Sequence, residues 1–353
     1  MPSRSIELII MKKILSIFCA FFLLSCSQTT NSRNKEVITT SDQQLQQLIH
    51  TYQQFYQKSS PFNDPKEGGN NAKLPDLSPE FLAKQNAKRQ NIYNALLEID
   101  INDLSQEHQI NNAVLTYTLK NQLDSYKNKE HYMPLTAESG FHVWIANISQ
   151  QINFKSKQDY LDYLSKLRAL PHYFEQQIAW MNLGISEGIV QPKVVLNGFE
   201  ESITAFIKDD VTDSGYYKPF HNMSAHLSFE DKKSIQEEAK KILTEHVIPT
   251  YQEYYDYMVN QYQPNARNDI AASSLPNGKS YYQNRVKHYT TLNITAEQVH
   301  QKGLQEVKRI RAEMDEIIKQ VEFDGDFKAF VDFLRSDEQF YAKTPVALLK
   351  EAS

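Results

Sequence analysis

A mainly α protein is what this sequence predicts, on three observations. Apolar residues recur at spacings of three and four through most of the chain, the period of one helix face. Helix-start signatures stand ahead of several of these stretches. No sustained alternation of apolar and polar residues calls for a large sheet. With no repeat at a fixed period, residues 41–353 read as one large helical domain or two closely packed lobes, because length alone does not set the count.

The N-terminal segment is of a different kind. "MKKILSIFCAFFLLSC" has Lys12 and Lys13, an almost wholly apolar run from Ile14 to Leu24, then Ser25 and Cys26, the order of a bacterial secretion signal. The run is too short to span a bilayer. Leu23-Leu24-Ser25-Cys26 resembles a lipobox, with Leu24 where a small residue is more usual. This predicts a signal peptide over 1–25, Cys26 as the acylated residue of the exported chain, and a polar tether over 26–40. Several acyl chains on one cysteine would hold the protein firmly on a membrane. Ser27 in place of Asp points to the outer membrane, facing the periplasm, and Glu7 within the basic segment makes Met11 the better start.

Cys19 and Cys26 are the two cysteines of the sequence, so the exported body has no disulfide, thiol nucleophile or Cys-ligated zinc. A formal charge of -5, from 38 basic and 43 acidic residues interspersed along the chain, leaves no basic stripe for nucleic acid.

The helices follow in order. Leu45, Leu48, Ile49, Tyr52, Phe55 and Tyr56 share one face, with Ser41 or Asp42 as cap. Pro61 to Asp76 is the clearest long loop. Ser78 as N-cap and Pro79 at the first helical position, where its missing N–H costs nothing, start the next helix. "NNAVLTYTLKNQLDSY", "DYLDYLSKLRAL", "PHYFEQQIAWMNLG" and "PKVVLNGFEESITAFI" continue the pattern. Tyr251, Tyr254, Tyr255, Met258 and Tyr262 form a tyrosine stripe that reads as a packing face rather than a platform for sugar rings. Pro249 should kink this helical run or mark a new start. Thr295 and Gln298 have capping-box spacing, ahead of a stripe of Val299, Leu304, Val307, Ile310, Met314 and Ile317 expected to be buried. Thr344 and Pro345 start a last helix.

Motifs that suggest chemistry dissolve in context. Gly184 to Gly188 spells G-x-S-x-G, but a nucleophile elbow needs a strand turning sharply into a helix. The preceding residues read as helix, with Gly184 as its C-terminal stop. None of the ten histidines is followed by Glu, so H-E-x-x-H is absent. His172 and Glu175 lack a second histidine, and Glu297 and His300 make a single E-x-x-H where a di-metal bundle needs two.

The order of "DYLDYLSKLRALPHYFEQQIAWMNLGISEGIVQPKVVL", "IPTYQEYYDYMVNQYQPNAR", "SLPNGKSYYQNRVKHYTTLNITAEQVHQKGLQEVKRIRAEM" and "FLRSDEQFYAKTPVALLKEA" resembles the bacterial family catalogued as domain of unknown function 885, over Gln44 to Ala352. That family, with many lipoproteins, is similar to helical zinc peptidases of the angiotensin-converting-enzyme and thermostable-carboxypeptidase type. The resemblance implies the N-terminal half of such a fold. It places the family's L-P-x-G turn on Leu275, Pro276, Asn277 and Gly278, and its Tyr pair on Tyr281 and Tyr282. The later positions fall on Thr290, Thr291, His300, Gly303, Leu304, Glu306 and Val307. In the turn, Pro276 presets a dihedral and Gly278 is expected to supply a conformation that other residues resist. Tyr281, Tyr282 and His300 become candidates for lining a peptide-substrate channel.

The family's H-E-x-x-P-G-H zinc motif lies beyond the C-terminal end of this sequence. The resemblance therefore implies zinc for a complete family member and none held by this chain, which is expected to hydrolyse no peptide bond alone and to associate with a missing C-terminal half. The alternative is a non-catalytic helical envelope lipoprotein that binds a peptide or protein partner.

Overall fold

The computed structural model describes residues 40–63, 71–136 and 139–353. The signal segment, Cys26 and nearly all of the tether lie outside the described residues. The protein is mainly helical, with two isolated β-bridges as the extended pairing among the described residues.

Three helices open the chain: α1 (Thr40–Ser59), α2 (Pro79–Leu97) and α3 (Gln106–Lys127). The Ser78 hydroxyl caps α2 by accepting from the Phe81 N–H at 3.3 Å, with Pro79 in the first turn. Asp42 lies in the first turn of α1. It is buried and accepts from the backbone N–H and hydroxyl of Ser105, at the start of α3, so it ties α1 to α3. Leu45, Ile92, Leu96, Leu104, Leu115 and Leu119 form the core of this unit. The short 98–105 connection makes α2 and α3 an antiparallel hairpin.

The larger core comes from α4 (Phe141–Ala146), α5 (Lys157–Arg168), α6 (Leu170–Glu187), α7 (Phe199–Thr204), α8 (Phe229–Ile242) and α9 (Ile248–Tyr257). The tyrosine stripe packs as expected: Tyr251, Tyr254, Met258 and Tyr262 are buried, and Tyr255 is partly so. The Tyr251 hydroxyl donates to the His142 carbonyl at 2.6 Å, so Tyr216, whose hydroxyl lies 2.8 Å away, must donate to Tyr251.

Pro249 stands in the first turn of α9, as a new start would place it, and a π turn joins that helix to α8 without a break. The Ile248 N–H bonds Leu243 O, five residues back, in a π turn immediately before Pro249. The device recurs before Pro264, where the Gln263 N–H bonds Met258 O. Proline cannot donate, and its ring crowds the carbonyl four residues earlier. Widening the preceding turn by one residue lets the helix run through both prolines.

Gly184 is not the stop of α6. The helix runs to Glu187 and closes on Gly188 at φ +72. Gly184 lies inside it because a Cβ there would come within 2.6 Å of Ile189 O and 3.1 Å of Tyr132 O. Ser186 is exposed on this helix, with its hydroxyl on Leu183 O, so no strained elbow presents it.

The last helices are α10 (Gly278–Thr290), α11 (Ala296–Gln320), α12 (Phe327–Ser336) and α13 (Pro345–Ala352). Both halves of the capping box at Thr295 and Gln298 form, and Thr344 caps α13. The expected burial of the α11 stripe does not occur. Leu304 is 53% exposed and Val307 67%, with Ile310, Met314 and Ile317 also open. The reason is packing: α11 meets α12 and the end of α10, and no described helix covers its other apolar residues.

The turn before α10 departs from expectation in a telling way. Gly278 N–H bonds Leu275 O at 2.7 Å, closing a turn over Leu275–Gly278, but the left-handed residue is Asn277 at φ 58. Gly278 is required for space instead: a Cβ would lie 2.1 Å from Ala272 O.

Candidate functional site

On α2, Leu82, Arg89 and Leu96 are spaced by seven, on one face. Ile92 and Leu96 are buried in the hairpin core, whereas one or two turns earlier this face carries Gln85, Asn86 and Arg89. On α3, Leu115 and Leu119 are buried and the same face continues into Gln122 and Tyr126. Because the hairpin is antiparallel, the polar end of α2 meets the polar end of α3.

Helix α10 closes the third side. The Tyr117 hydroxyl reaches His288 O at 2.6 Å, Asn284 donates to Asp124 at 2.9 Å, and Val286 is buried. These contacts aim Arg285 and His288 at the hairpin. The result is a cavity of about 390 Å³ lined by Leu82, Arg89, Asn121, Gln122, Ser125, Tyr126, His131, Arg285 and His288.

Buried polar atoms without a hydrogen-bond partner concentrate here. In the lining they are Arg89 Nε, Gln122 Oε1, Arg285 Nε and His288 Nδ1, and Gln85 Oε1 and Asn86 Oδ1 lie one turn before Arg89 on α2. Leaving such an atom unpaired costs about 1–3 kcal/mol, which makes several in one cleft an argument for a ligand rather than for folding.

The charges are unevenly matched. Arg285 meets Glu130 at 3.2 Å, and Glu130 also accepts from Ser125 at 2.7 Å. Arg89 has no ion pair with any described residue; its guanidinium lies over the Phe55 ring at 5.5 Å, and burial lowers its pKa. His131 stacks on Tyr126, with centroids 5.1 Å apart, and lies edge-on to Trp180. Burial, helped by nearby Lys129, pushes its pKa down to about 4, so it is neutral at pH 7. One cation in the cleft thus stands without a counter-charge.

The residues singled out by sequence are placed differently. Leu275, Pro276, Asn277 and Tyr281 line a smaller hollow of about 80 Å³ beside Lys129 and Glu187, which are ion-paired. Arg285 lies 5.9 Å from the Tyr281 ring, between this hollow and the larger cleft. Tyr282 is 45% exposed, and His300 is exposed on α11; neither lines either cavity. Arg89, Gln122, His131, Arg285 and His288 were not predicted, although Arg89 interrupts a readable apolar stripe.

A second constellation lies in the larger core, where His142 Nε2 is 2.9 Å from Ser202 Oγ. That hydroxyl donates to Phe199 O at 2.7 Å, so its proton is directed away from the imidazole and the serine is not activated.

Comparison with known families decides the relationship. The family described as "Bacterial protein of unknown function (DUF885)" matches residues 61–353. The chain belongs to DUF885. No curated protein matches it. Among solved structures, this DUF885 chain is similar to that described as "the putative lipoprotein from Colwellia psychrerythraea", at 20% identity and a TM-score of 0.76. The match covers 87% of the DUF885 chain and 57% of the Colwellia chain, which shows a shared fold. Among the described residues of the DUF885 chain, no group of three or more His, Cys, Asp or Glu side chains comes together to hold a metal ion. These residues do not fit the zinc that the resemblance implies. No described helix is long and apolar enough to cross a membrane.

Proposed function

We propose that this chain is a non-catalytic, peptide-binding helical portion of an exported protein anchored to the cell envelope through Cys26. The observation that carries the binding role is the concentration of unpaired polar atoms in the cleft between α2, α3 and α10. Side-chain carboxamides donate and accept as peptide groups do, so Asn121 and Gln122 suit an extended peptide main chain. The aromatic wall of Tyr126 and His131 suits an apolar side chain. Peptide recognition is in keeping with the zinc-peptidase resemblance read from the sequence, but the sequence supplies no H-E-x-x-H motif, so this reading gives the chain no part in peptide-bond hydrolysis.

The test is titration of the exported chain with fluorescent tri- to hexapeptides, followed by anisotropy and by chromatography of the peptides. Saturable binding with no cleavage is expected. Absence of binding across the panel would remove the reading, and cleavage by the chain alone would replace it with a catalytic one. Lipid anchoring is supported by the lipobox-like segment at Cys26 and by the description of the Colwellia protein. Cys26→Ala should release the protein from the membrane fraction.

A further inference from the structure

We infer that the cleft binds a carboxylate of its peptide ligand, with Arg89 as the group that holds it. The inference rests on the peptide-binding reading and adds the chemistry of recognition to it.

Three observations converge on Arg89. It lines the cavity, its Nε has no hydrogen-bond partner, and it has no ion pair with any described residue. The other arginine of the cleft is already matched by Glu130. A half-buried guanidinium without an anion is held at a desolvation cost that a ligand anion would offset. The planar fork of guanidinium donors fits the two oxygens of a carboxylate in a bidentate pair, which an amide cannot reproduce.

Two further donors stand within the same cavity lining. Arg285 Nε is unpaired despite the contact of its terminal nitrogens with Glu130. His288 Nδ1 is unpaired too, and it donates whenever that tautomer is present. His131 is neutral and adds no charge of its own, so the attraction for an anion comes from the arginines. The lining gives an anion donors from α2 on one side and from α10 on the other.

The carboxylate has two sources, a free peptide C-terminus or an acidic side chain. Four probes separate them from each other and from a general anion site: a tetrapeptide acid without acidic side chains, its C-terminal amide, the amide carrying an internal glutamate, and inorganic phosphate as competitor. With the full exported chain, the acid should bind at least about tenfold more tightly than the amide, the size expected of a charge-assisted bidentate contact. Arg89→Gln should collapse that ratio toward one. If the internal glutamate restores binding of the amide, the shared carboxylate chemistry holds and the source is a side chain.

The acid, the amide and the glutamate-bearing amide all binding equally would overturn the carboxylate assignment and leave peptide binding standing. No peptide binding at all would overturn both readings. An unchanged acid-to-amide ratio in a folded Arg89→Gln protein would move the contact away from Arg89. Displacement of the acid by phosphate at an equal or lower concentration would make the site one for oxyanions in general, which overturns the assignment. Should Arg89→Gln fail to fold, as judged by circular dichroism, Arg89→Lys retains the charge without the fork. It should then lose most of the ratio, and an undiminished ratio would count against a bidentate contact.

Discussion

Arg285 holds Glu130 at 3.2 Å, while Arg89, in the lining of the same cavity, has no acid paired with it among the described residues. The pair fixes the polarity of the cleft: one arginine is neutralised by the protein and the other is left for a ligand. Glu130→Gln should therefore free the second guanidinium. We expect a several-fold gain in affinity for a peptide acid and little change for its amide, at a folding cost of about 1–2 kcal/mol because an arginine then sits partly buried without its anion. Peptide titration and urea unfolding of the same variant measure the two effects. A fall in acid affinity would show that Glu130 positions the donors rather than competing for them.

The turn before α10 carries the helix that supplies Arg285 and His288, so its backbone requirements reach the site. A Cβ on Gly278 would lie 2.1 Å from Ala272 O and 2.8 Å from Ser273 C. Gly278→Ala is expected to destabilise the fold by about 2–3 kcal/mol through forced backbone movement. Asn277 already has φ 58, which glycine adopts without strain. Asn277→Gly should stay within about 1 kcal/mol of the parent. Denaturant unfolding of the two variants distinguishes a steric glycine from a conformational one; equal losses would contradict the assignment.

Much of the fold was legible in the sequence, and the exceptions have physical causes. Ser78, Thr295 and Thr344 announced helix starts because capping depends on residues within one turn. The tyrosine stripe was readable as core because its spacing places it on one face. Gly184 misled because a glycine near a helix end is ambiguous: Gly188, four residues on, takes the positive φ, and the need for Gly184 comes from a carbonyl on the following segment and another at Tyr132. Pro249 marked the start of α9, but not the π turn that spends one extra residue to join it to α8, a choice set by packing on both sides. The stripe from Leu304 to Ile317 has the period of a buried face, and period alone does not say what lies against it. The cleft was least legible, since it needs α2, α3 and α10 together; only Arg89, between Leu82 and Leu96, gave a local sign.

The buried phenol chain gives a third prediction. Tyr216 donates to Tyr251, and Tyr251 to the His142 carbonyl, all within the larger core. Tyr251→Phe keeps the ring contacts with Phe174 and Phe206 but strands the His142 carbonyl and leaves Tyr216 without its acceptor. Two buried groups lose partners, so a cost of about 2–4 kcal/mol is expected. Because Tyr251 lies in the core away from the cleft lining, peptide affinity of the folded protein should be unchanged. A loss below about 0.5 kcal/mol would mean that the groups rearrange to new partners.

Two imidazoles held neutral by burial contribute to the response to acid. Burial holds both His131 and His142 at a pKa of about 4, against 6.5 for an unhindered histidine. In this direction the unfolded chain takes up protons that the folded protein refuses. The stabilising contribution is complete above pH 6.5 and erodes as pH falls from 6.5 toward 4, with no further loss from these groups below that. For His142, enclosed in the core, the ceiling is about 3 kcal/mol at pH 4; His131, partly open to the cleft, should contribute less because solvent screens it. His131→Phe keeps an aromatic ring against Tyr126 and Trp180 and removes one titrating group. Its unfolding free energy at pH 7, 5.5 and 4 should therefore decline less steeply than that of the parent. Parallel curves would show that His131 charges in place, with water or a rearranged neighbour relieving it, and would leave the histidine part of the acid response to His142.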